Sequence, residues 1–144
     1  MTKEIRVDRD VLVLIEVAAW SFTKRKADGS LDYISPLPTP FNYGSVPTIM
    51  GLDGDPLDAL VLGRRLPRGA RTETTVQTVA RIVDAGLIDD KLICKRGPLS
   101  KMERAALRVF FALYVIAKRT LYTFRGVSGS TRFEGWSDEP RTST

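Results

Sequence analysis

Histidine is absent from the 144-residue chain, and cysteine occurs once, at Cys94. Without an imidazole, histidine-based acid–base catalysis, catalytic triads that use histidine and histidine-ligated zinc sites are excluded. Any metal ion must therefore be held mainly by oxygen ligands, which points to Mg²⁺, Mn²⁺ or Ca²⁺. A single cysteine forms no internal disulfide and fits a reducing compartment.

Long apolar runs and long basic runs are missing as well. The most apolar stretch, residues 11–20, is interrupted by Glu16, and the first ten residues lack the apolar segment of a signal peptide. We therefore expect a cytoplasmic protein that does not associate with a membrane. The net charge of +5 comes from basic residues scattered in twos and threes. This dispersion favours small anions slightly over a nucleic-acid backbone as partners.

Against this basic background, the segment DGDPLD (53–58) places Asp53, Asp55 and Asp58 at one bend. Like charges repel at this range, so the bend costs free energy unless a cation or protons neutralise it. A solvated turn is the alternative, because Asp, Gly and Pro are common turn residues. An EF-hand calcium loop fits poorly, since its sixth position would be Asp58 and its twelfth Arg64.

A second acidic segment, DAGLIDDK (84–91), supplies Asp84, Asp89, Asp90 and Lys91. It joins two predicted strands and so lies at one end of the predicted sheet, and the DGDPLD bend also directly precedes a strand. Two acidic loops at strand ends can converge on one metal cluster. Carboxylates that share divalent ions are how proteins build sites for phosphoryl transfer to water.

Hydrophobic periodicity predicts a series of short strands and one helix. The expected strands cover 10–17, 59–63, 72–85, 91–95 and 121–127, with a strand–turn–strand unit over 24–33 that turns at Asp28–Gly29. Residues 35–47 contain four prolines and are expected to form an irregular surface loop.

The helix is expected to begin with a capping box formed by Ser100 and Glu103 and to end near Lys118–Arg119. Its predicted apolar stripe consists of Met102, Ala106, Val109, Leu113 and Ile116. The expected fold is mainly β with α: a single domain over residues 1–144, built as a small barrel flanked by one or two helices. A polar tail is expected at about 137–144.

The segment DGDPLDALV (53–61) resembles the signature D-x-D-P-x-D of the soluble family I inorganic pyrophosphatases, and further motifs follow in that family's order. These are VLIEV with Glu16, Lys24 eight residues later, FNYG with Tyr43, DAGLIDDK with Asp84, Asp89 and Lys91, FFALY with Tyr114, and FEGW at 133–136. The resemblance runs from about Val11 to Trp136. It implies a closed five-stranded barrel of the OB type and Mg²⁺-dependent hydrolysis of inorganic pyrophosphate, with Mn²⁺ as an alternative ion.

The resemblance also implies a role for each site residue. Metal ions would be held by Asp53, Asp58, Asp84 and Asp89, with Glu16 nearby, the ion between Asp84 and Asp89 arriving with substrate. Asp55 would accept the proton of the metal-activated water. Phosphate oxygens would be bound by Lys24, Tyr43, Lys91 and Tyr114. Asp90 has no family role and is expected to be solvated. A homo-oligomer is the expected assembly.

Four positions depart from the family pattern. Lys26 replaces a glutamate, Tyr33 an arginine, Thr39 a tyrosine and Val115 a lysine. The metal carboxylates are retained, whereas a missing cation at a transferring phosphate costs on the order of 10²–10³ in rate. We therefore expect a slower pyrophosphatase or, alternatively, a Mg²⁺-dependent hydrolase of another phosphoanhydride. A non-catalytic barrel that binds anions or nucleic acid is the third alternative, but it gives no reason for the retained carboxylates.

Overall fold

The computed structural model describes residues 5–20, 23–25, 31–34 and 40–142, with the backbone alone for 23–25 and 31–34. Within these ranges the elements are β1 (Asp10–Val17), β2 (Thr23–Arg25), β3 (Leu31–Ile34), β4 (Asn42–Met50), β5 (Pro56–Val61), β6 (Arg71–Asp84), β7 (Leu87–Ile88), β8 (Lys91–Cys94), α1 (Lys101–Arg125) and β9 (Arg132–Ser137). A helix with the length and apolar character needed to cross a membrane is not found among these residues.

Five strands close into a barrel in the order β1–β4–β5–β8–β6, and β6 pairs back onto β1 to complete the ring. Of these pairings, β5–β8 is parallel and the other four are antiparallel. The strand β9 extends the sheet beside β6, and β2 and β3 pair with each other in a separate sheet. The predicted closed barrel is confirmed.

Alternate residues of the barrel strands fill its interior. The buried side chains include Val13, Ile15, Ala59, Val76 and Leu92. Gly44 allows β4 to approach β1, because a Cβ at this position would overlap the backbone carbonyl of Leu14. Since a one-residue slip would turn the apolar side chains outward, this interior fixes the register of the strands.

A second core lies between the outer face of the barrel and α1. Leu60 and Ile93 of the barrel pack with Leu107 and Phe111 of the helix. The ring of Phe111 also stacks on Phe133 of β9, with 5.4 Å between centroids and 4° between planes. Burial of each such side chain contributes roughly 1.5–3 kcal/mol. The helix is therefore held against the outer face of β5 and β8.

The predicted start of the helix is confirmed, but its predicted end is wrong. The Ser100 hydroxyl accepts from the Glu103 N–H at 3.0 Å, and the Glu103 carboxylate accepts from the Ser100 N–H at 2.9 Å. The helix then continues to Arg125 and is closed by Gly126, whose φ of 67° is left-handed. Of residues 121–127, which are predicted as a strand, residues 121–125 form the last helical turn, because no Gly or Pro interrupts the helix before Gly126.

The predicted apolar stripe of the helix faces away from the barrel. The buried face consists of Leu107, Phe111 and Val115. We call the opposite face the outward stripe: Met102, Ala106, Val109, Leu113 and Ile116. Its four larger side chains are between 45% and 84% exposed. The helix thus has apolar residues on two faces, and periodicity alone selected the wrong one.

The strands predicted over 10–17, 72–85 and 91–95 are confirmed as β1, β6 and β8, and the unit over 24–33 contains β2 and β3. The strand predicted from 59 begins earlier, at Pro56. The loop predicted over 35–47 is wrong from Asn42 onward, because β4 begins there. Pro47 is tolerated where the register of β4 with β5 shifts, between Val46 and Met50. Residues 35–39 and the turn at Asp28–Gly29 lie outside the described residues.

Residues 138–142 are tied to the barrel through Asp90, which is 2% exposed rather than solvated as predicted. The Arg141 guanidinium donates to both oxygens of Asp90, at 2.7 and 3.0 Å, and the Arg141 N–H donates at 2.8 Å. The same carboxylate accepts from the N–H of Ile82 at 3.1 Å. Next to this contact, Thr142 forms a β-bridge with Gly51. The prediction failed for Asp90 because its partner lies 51 residues away in sequence.

Candidate active site

A row of polar residues crosses the outer face of the barrel where β4, β5 and β8 are adjacent. Ser45 pairs with Asp58, and Asp58 pairs with Lys91. Tyr43 lies two residues before Ser45 on β4, and Asp89 lies two residues before Lys91. Because alternate residues of a strand share a face, the fold brings these residues to one place.

Lys91 is the buried centre of this group. Its side chain is 1% exposed, and its ammonium donates to Asp58 Oδ2 at 2.8 Å, to the Tyr43 hydroxyl at 2.9 Å and to Asp89 Oδ2 at 3.0 Å. An ammonium has three donors, so all three are engaged. Burial lowers the pKa of Lys91, but the charge of Asp58 and the other neighbours outweigh it, and the pKa is raised well above its usual value. Lys91 therefore carries its charge inside the protein.

Two tyrosines complete what we call the Lys91 cluster: Tyr43, Asp58, Asp89, Lys91 and Tyr114. The ammonium lies 5.4 Å from the centroid of the Tyr43 ring and 5.6 Å from that of Tyr114. The Tyr43 hydroxyl donates to Asp58 Oδ2 at 2.7 Å. Burial raises the pKa of Tyr114 to about 12 and raises that of Tyr43 as well. Both phenols thus stay protonated at neutral pH and keep an O–H donor.

The cluster carries more negative charge than Lys91 neutralises. The pKa of Asp89 is raised from 3.8 to about 6, mainly by burial, with the charges of Asp58 and Asp53 adding to the rise and Lys91 opposing it. The ionised form of such a carboxylate is unfavourable, so binding of a proton or a metal ion stabilises it. Cations are therefore favoured at Asp89.

The first half of the DGDPLD segment is an ordered turn, and its second half, from Pro56, is the start of β5. The N–H of Gly51 donates to the carbonyl of Asp55 at 2.8 Å, and the N–H of Asp55 donates to Asp53 Oδ1 at 3.0 Å. An aspartate that accepts from the backbone two residues later is a common way to fix a turn. Asp53 is half-buried and Asp55 is exposed. The bend thus places the Asp55 side chain in solvent beside the start of β5.

The donor chemistry fits Mg²⁺, although a finished metal site is not formed. In the described part of the chain, no three Cys, Asp or Glu side chains are grouped closely enough to hold an ion. Instead, the Lys91 ammonium lies between Asp58 and Asp89. The available donors are carboxylate oxygens, which Mg²⁺ prefers, and the raised pKa of Asp89 shows that burial makes its charged form costly without a further cation.

Glu16 lies on β1, where it lines a shallow pocket of about 450 Å³ together with Arg65 and Arg68. Lys24 lies in β2 opposite Tyr33 of β3. The side chains of Lys24 and Tyr33 are outside the described part of the structure, and so are the residues Lys26 and Thr39.

Asp84 belongs to a second group, which the sequence analysis missed. Its Oδ1 accepts from the Tyr122 hydroxyl at 2.6 Å, and its Oδ2 lies 3.5 Å from the Lys118 ammonium. Tyr114, Lys118 and Tyr122 are spaced four residues apart, which places them on one side of a helix. That signal was lost because the helix was predicted to end before Tyr122.

A family model described as inorganic pyrophosphatase matches residues 13–131. The chain belongs to the inorganic pyrophosphatase family. An inorganic pyrophosphatase of Haemophilus influenzae is 37% identical over 76 residues, which span 51% of this chain and 43% of that protein. This alignment therefore covers less than half of the relative. An inorganic pyrophosphatase of Neisseria meningitidis is 28% identical over 125 residues, spanning 81% of this chain and 71% of the relative.

Solved pyrophosphatase structures share the fold. The structure of the Thermus thermophilus inorganic pyrophosphatase matches with a TM-score of 0.74 at 23% identity, covering 95% of this chain and 89% of the other. That of the Neisseria gonorrhoeae enzyme matches with a TM-score of 0.70 at 24% identity, covering 90% and 82%. The predicted membership in the pyrophosphatase family and the predicted barrel are thereby confirmed.

Proposed function

We propose that this chain hydrolyses inorganic pyrophosphate to two phosphates, in a Mg²⁺-dependent reaction at the Lys91 cluster. The observation that carries the proposal is the buried Lys91 ammonium, bound at 2.8 and 3.0 Å to two carboxylates and lying beside two protonated phenols. Carboxylates for metal ions and cationic or phenolic donors for phosphate are thus within one group. The match to the pyrophosphatase family supports the same activity.

The residues that would hold Mg²⁺ are Asp53, Asp58, Asp84 and Asp89, with Glu16 close to them and Mn²⁺ as an alternative ion. When bound, the ion would supply a hydroxide near neutral pH and neutralise charge on the substrate. Asp89 is largely ionised at neutral pH because its pKa is raised only to about 6, and a metal ion would offset the cost of keeping this half-buried carboxylate charged.

Asp55 would take the proton of the attacking water. Its side chain is exposed, and its backbone N–H donates to Asp53 Oδ1 at 3.0 Å, so the turn fixes the main chain from which the carboxylate projects into solvent. Asp58, by contrast, accepts hydrogen bonds from both Lys91 and Tyr43. Asp55 is therefore the better candidate for the base. A general base needs to be within hydrogen-bond reach of the water it deprotonates.

Phosphate oxygens would be bound by Tyr43, Lys91 and Tyr114, together with Lys24 from the β2–β3 unit. Lys91 has its three donors engaged with the protein. If Asp58 and Asp89 were to hold metal ions, donors of Lys91 would become available to substrate. Metal binding and phosphate binding are therefore coupled through one side chain.

A larger diphosphate is the second candidate substrate. It is favoured by the pocket of about 450 Å³ that Glu16, Arg65 and Arg68 line, because an open basic pocket has room for anionic or polar groups beyond phosphate. Nucleic acid is a weaker candidate, since the outer face of the barrel carries the carboxylates of the cluster, which repel a polyanion.

The test measures phosphate release from pyrophosphate, first with Mg²⁺ present and then after Mg²⁺ is chelated. The same assay is run on a panel of nucleoside and sugar diphosphates. Asp58→Asn should abolish release, whereas the matched control Asp10→Asn, an exposed carboxylate at the start of β1, should not change it. Preference for a panel member would select the second candidate. Absence of release from every substrate by the folded protein would leave the non-catalytic barrel.

We further propose that the protein acts in the cytoplasm as a homo-oligomer in which the outward stripe meets the same stripe of a second copy. The stripe spans fifteen residues of α1, about 21 Å at 1.5 Å per residue, and is apolar throughout, so it is complementary to itself. Sedimentation should show an oligomer that Leu113→Glu dissociates. A monomer at high concentration would contradict this assembly.

A further inference from the structure

The last turns of α1 place a second cation over the acidic loop. Lys118 lies 3.5 Å from Asp84 Oδ2, and its ammonium is 5.6 Å from the centroid of the Tyr114 ring and 5.5 Å from that of Tyr122. The Tyr122 hydroxyl donates to the other oxygen, Asp84 Oδ1, at 2.6 Å. Asp84 is thus held by one strong hydrogen bond and one loose ion pair.

Lys118 and Lys91 differ in how firmly they are engaged. Lys91 is 1% exposed and makes three contacts of 2.8–3.0 Å. Lys118 is 30% exposed, and its contacts in the described structure are 3.5 Å to Asp84 and 3.4 Å to the Tyr122 hydroxyl. Strong charge-assisted hydrogen bonds are about 2.7–2.9 Å long. Moving the Lys118 ammonium to a ligand would therefore break weaker interactions than moving the Lys91 ammonium.

The two ammonium groups share one aromatic neighbour. Each lies 5.6 Å from the centroid of the Tyr114 ring, so Lys118 borders the Lys91 cluster. Val115 is buried in the helix–barrel core and carries no charge. Lys118, one turn further along the same side of the helix, supplies a cation at this edge of the cluster.

We propose that Lys118 is a phosphate-binding residue that rests on Asp84 in the free protein and moves to the substrate diphosphate when a divalent ion engages Asp84. This inference rests on the proposed function. Tyr122 is a positioning residue, because its hydroxyl keeps Asp84 oriented through Oδ1 while Oδ2 changes partner from ammonium to metal ion. The exchange involves no covalent step, only the transfer of an ion pair from carboxylate to phosphate.

The experiment measures two affinities by calorimetry: Mg²⁺ alone, and imidodiphosphate, a non-hydrolysable diphosphate, in saturating Mg²⁺. Lys118→Met should weaken imidodiphosphate binding by on the order of 10- to 100-fold, the range for one charge-assisted hydrogen bond. It should leave Mg²⁺ binding unchanged or tighter, because a competing cation is removed from Asp84. Lys118→Arg should restore most of the imidodiphosphate affinity.

Lys95→Met is the matched control. Lys95 is 26% exposed and pairs with the carboxylate of Glu103 at 2.6 Å, at the other end of the helix. Its replacement should change neither affinity. Tyr122→Phe keeps the ring beside Lys118 but removes the bond to Asp84, and it should weaken Mg²⁺ binding while the protein stays folded by circular dichroism.

The outcomes separate this inference from the proposed function. If the wild type binds imidodiphosphate and Lys118→Met binds it equally well, Lys118 has no role in substrate binding and the proposed function stands. If Lys118→Met weakens Mg²⁺ binding instead, Lys118 orders the metal site and the phosphate role is wrong. If the wild type binds no imidodiphosphate with Mg²⁺ present, both proposals are overturned.

Discussion

Asp58 and Asp89 both bind the buried Lys91, yet the same change, aspartate to asparagine, should affect their metal-free stability in opposite directions. Asp58 is the main source of the raised pKa of Lys91, and it also accepts from Tyr43 at 2.7 Å. Asp89 is instead itself perturbed, with a pKa raised to about 6 mainly by burial. The two variants therefore distinguish a required counter-ion from a surplus charge.

For Asp89 the expected gain follows from its pKa. A rise from 3.8 to about 6 corresponds, at about 1.4 kcal/mol per unit, to a destabilisation of up to about 3 kcal/mol when the group is ionised. Because the folded pKa of this acid is raised, the penalty is absent below the unfolded pKa, grows as pH rises and is complete above the folded pKa. In EDTA, Asp89→Asn should thus be more stable than the wild type at pH 8 and equal to it near pH 4.

Asp58→Asn, in contrast, should lower the free energy of unfolding of the metal-free protein. The substitution removes the carboxylate that most raises the pKa of Lys91, but Asp89 still pairs with the ammonium at 3.0 Å, so the expected cost is that of one charge-assisted hydrogen bond, about 1.5–3 kcal/mol. Urea unfolding followed by circular dichroism in EDTA, at pH 8, 6 and 4.5, measures both variants. The reasoning is refuted if Asp89→Asn is destabilised at pH 8, or if its difference from the wild type does not change between pH 8 and 4.5.

Three further predictions concern residues outside the cluster. Arg141→Ala should lower the free energy of unfolding by about 3–5 kcal/mol, because it leaves the buried Asp90 carboxylate without its guanidinium; an unchanged urea midpoint would contradict this. Burial raises the pKa of Cys94 to about 12, so its thiol should react with a disulfide reagent at pH 8 only in urea, and rapid labelling of the native protein would show the burial to be wrong. The pKa of Glu103 is lowered, chiefly by its hydrogen bond to Lys95. Its contribution to stability is therefore present above its unfolded pKa and lost as pH falls through the lower folded pKa. Glu103→Gln should have a lower free energy of unfolding than the wild type at pH 7, and the two proteins should converge in acid.

The barrel could be predicted because its strands carry local signals. The alternation in β6 and the β-branched run of β1 gave bounds within one or two residues of those observed. The start of β4 could not be predicted, because Gly44, Pro47 and the prolines just before the strand favour a loop, and only pairing with β1 and β5 makes it a strand. Tertiary pairing overrides local propensity at such positions.

The face of the helix that is buried was beyond local reasoning. Two sets of apolar residues repeat at helical spacing: the outward stripe, and the buried set Leu107, Phe111 and Val115. Only contact with the barrel decides which set is buried. A separate error, the predicted helix end near residue 118, concealed the Asp84 group, because it removed Tyr122 from consideration.

For the site, the family resemblance named the residues of the Lys91 cluster, and sequence reasoning alone predicted only that the two acidic segments meet at one end of the sheet. That Lys91 is buried with all its donors engaged depends on the parallel pairing of β5 with β8, which places Asp58 opposite Lys91. Parallel pairing joins segments distant in sequence and leaves no local signal. The roles of Lys24 and Glu16 stay predictions from the family resemblance.

The most direct measurement of the central claim is the rate of phosphate release from pyrophosphate as Mg²⁺ is titrated, for the wild type and for Asp89→Asn. Release from the wild type should be absent in EDTA and rise with Mg²⁺ to saturation. The folded variant should release little phosphate at any Mg²⁺ concentration, because one carboxylate of the metal set is lost. Equal Mg²⁺-dependent release by both proteins, or release by the wild type in EDTA, would contradict a metal-dependent reaction at the Lys91 cluster.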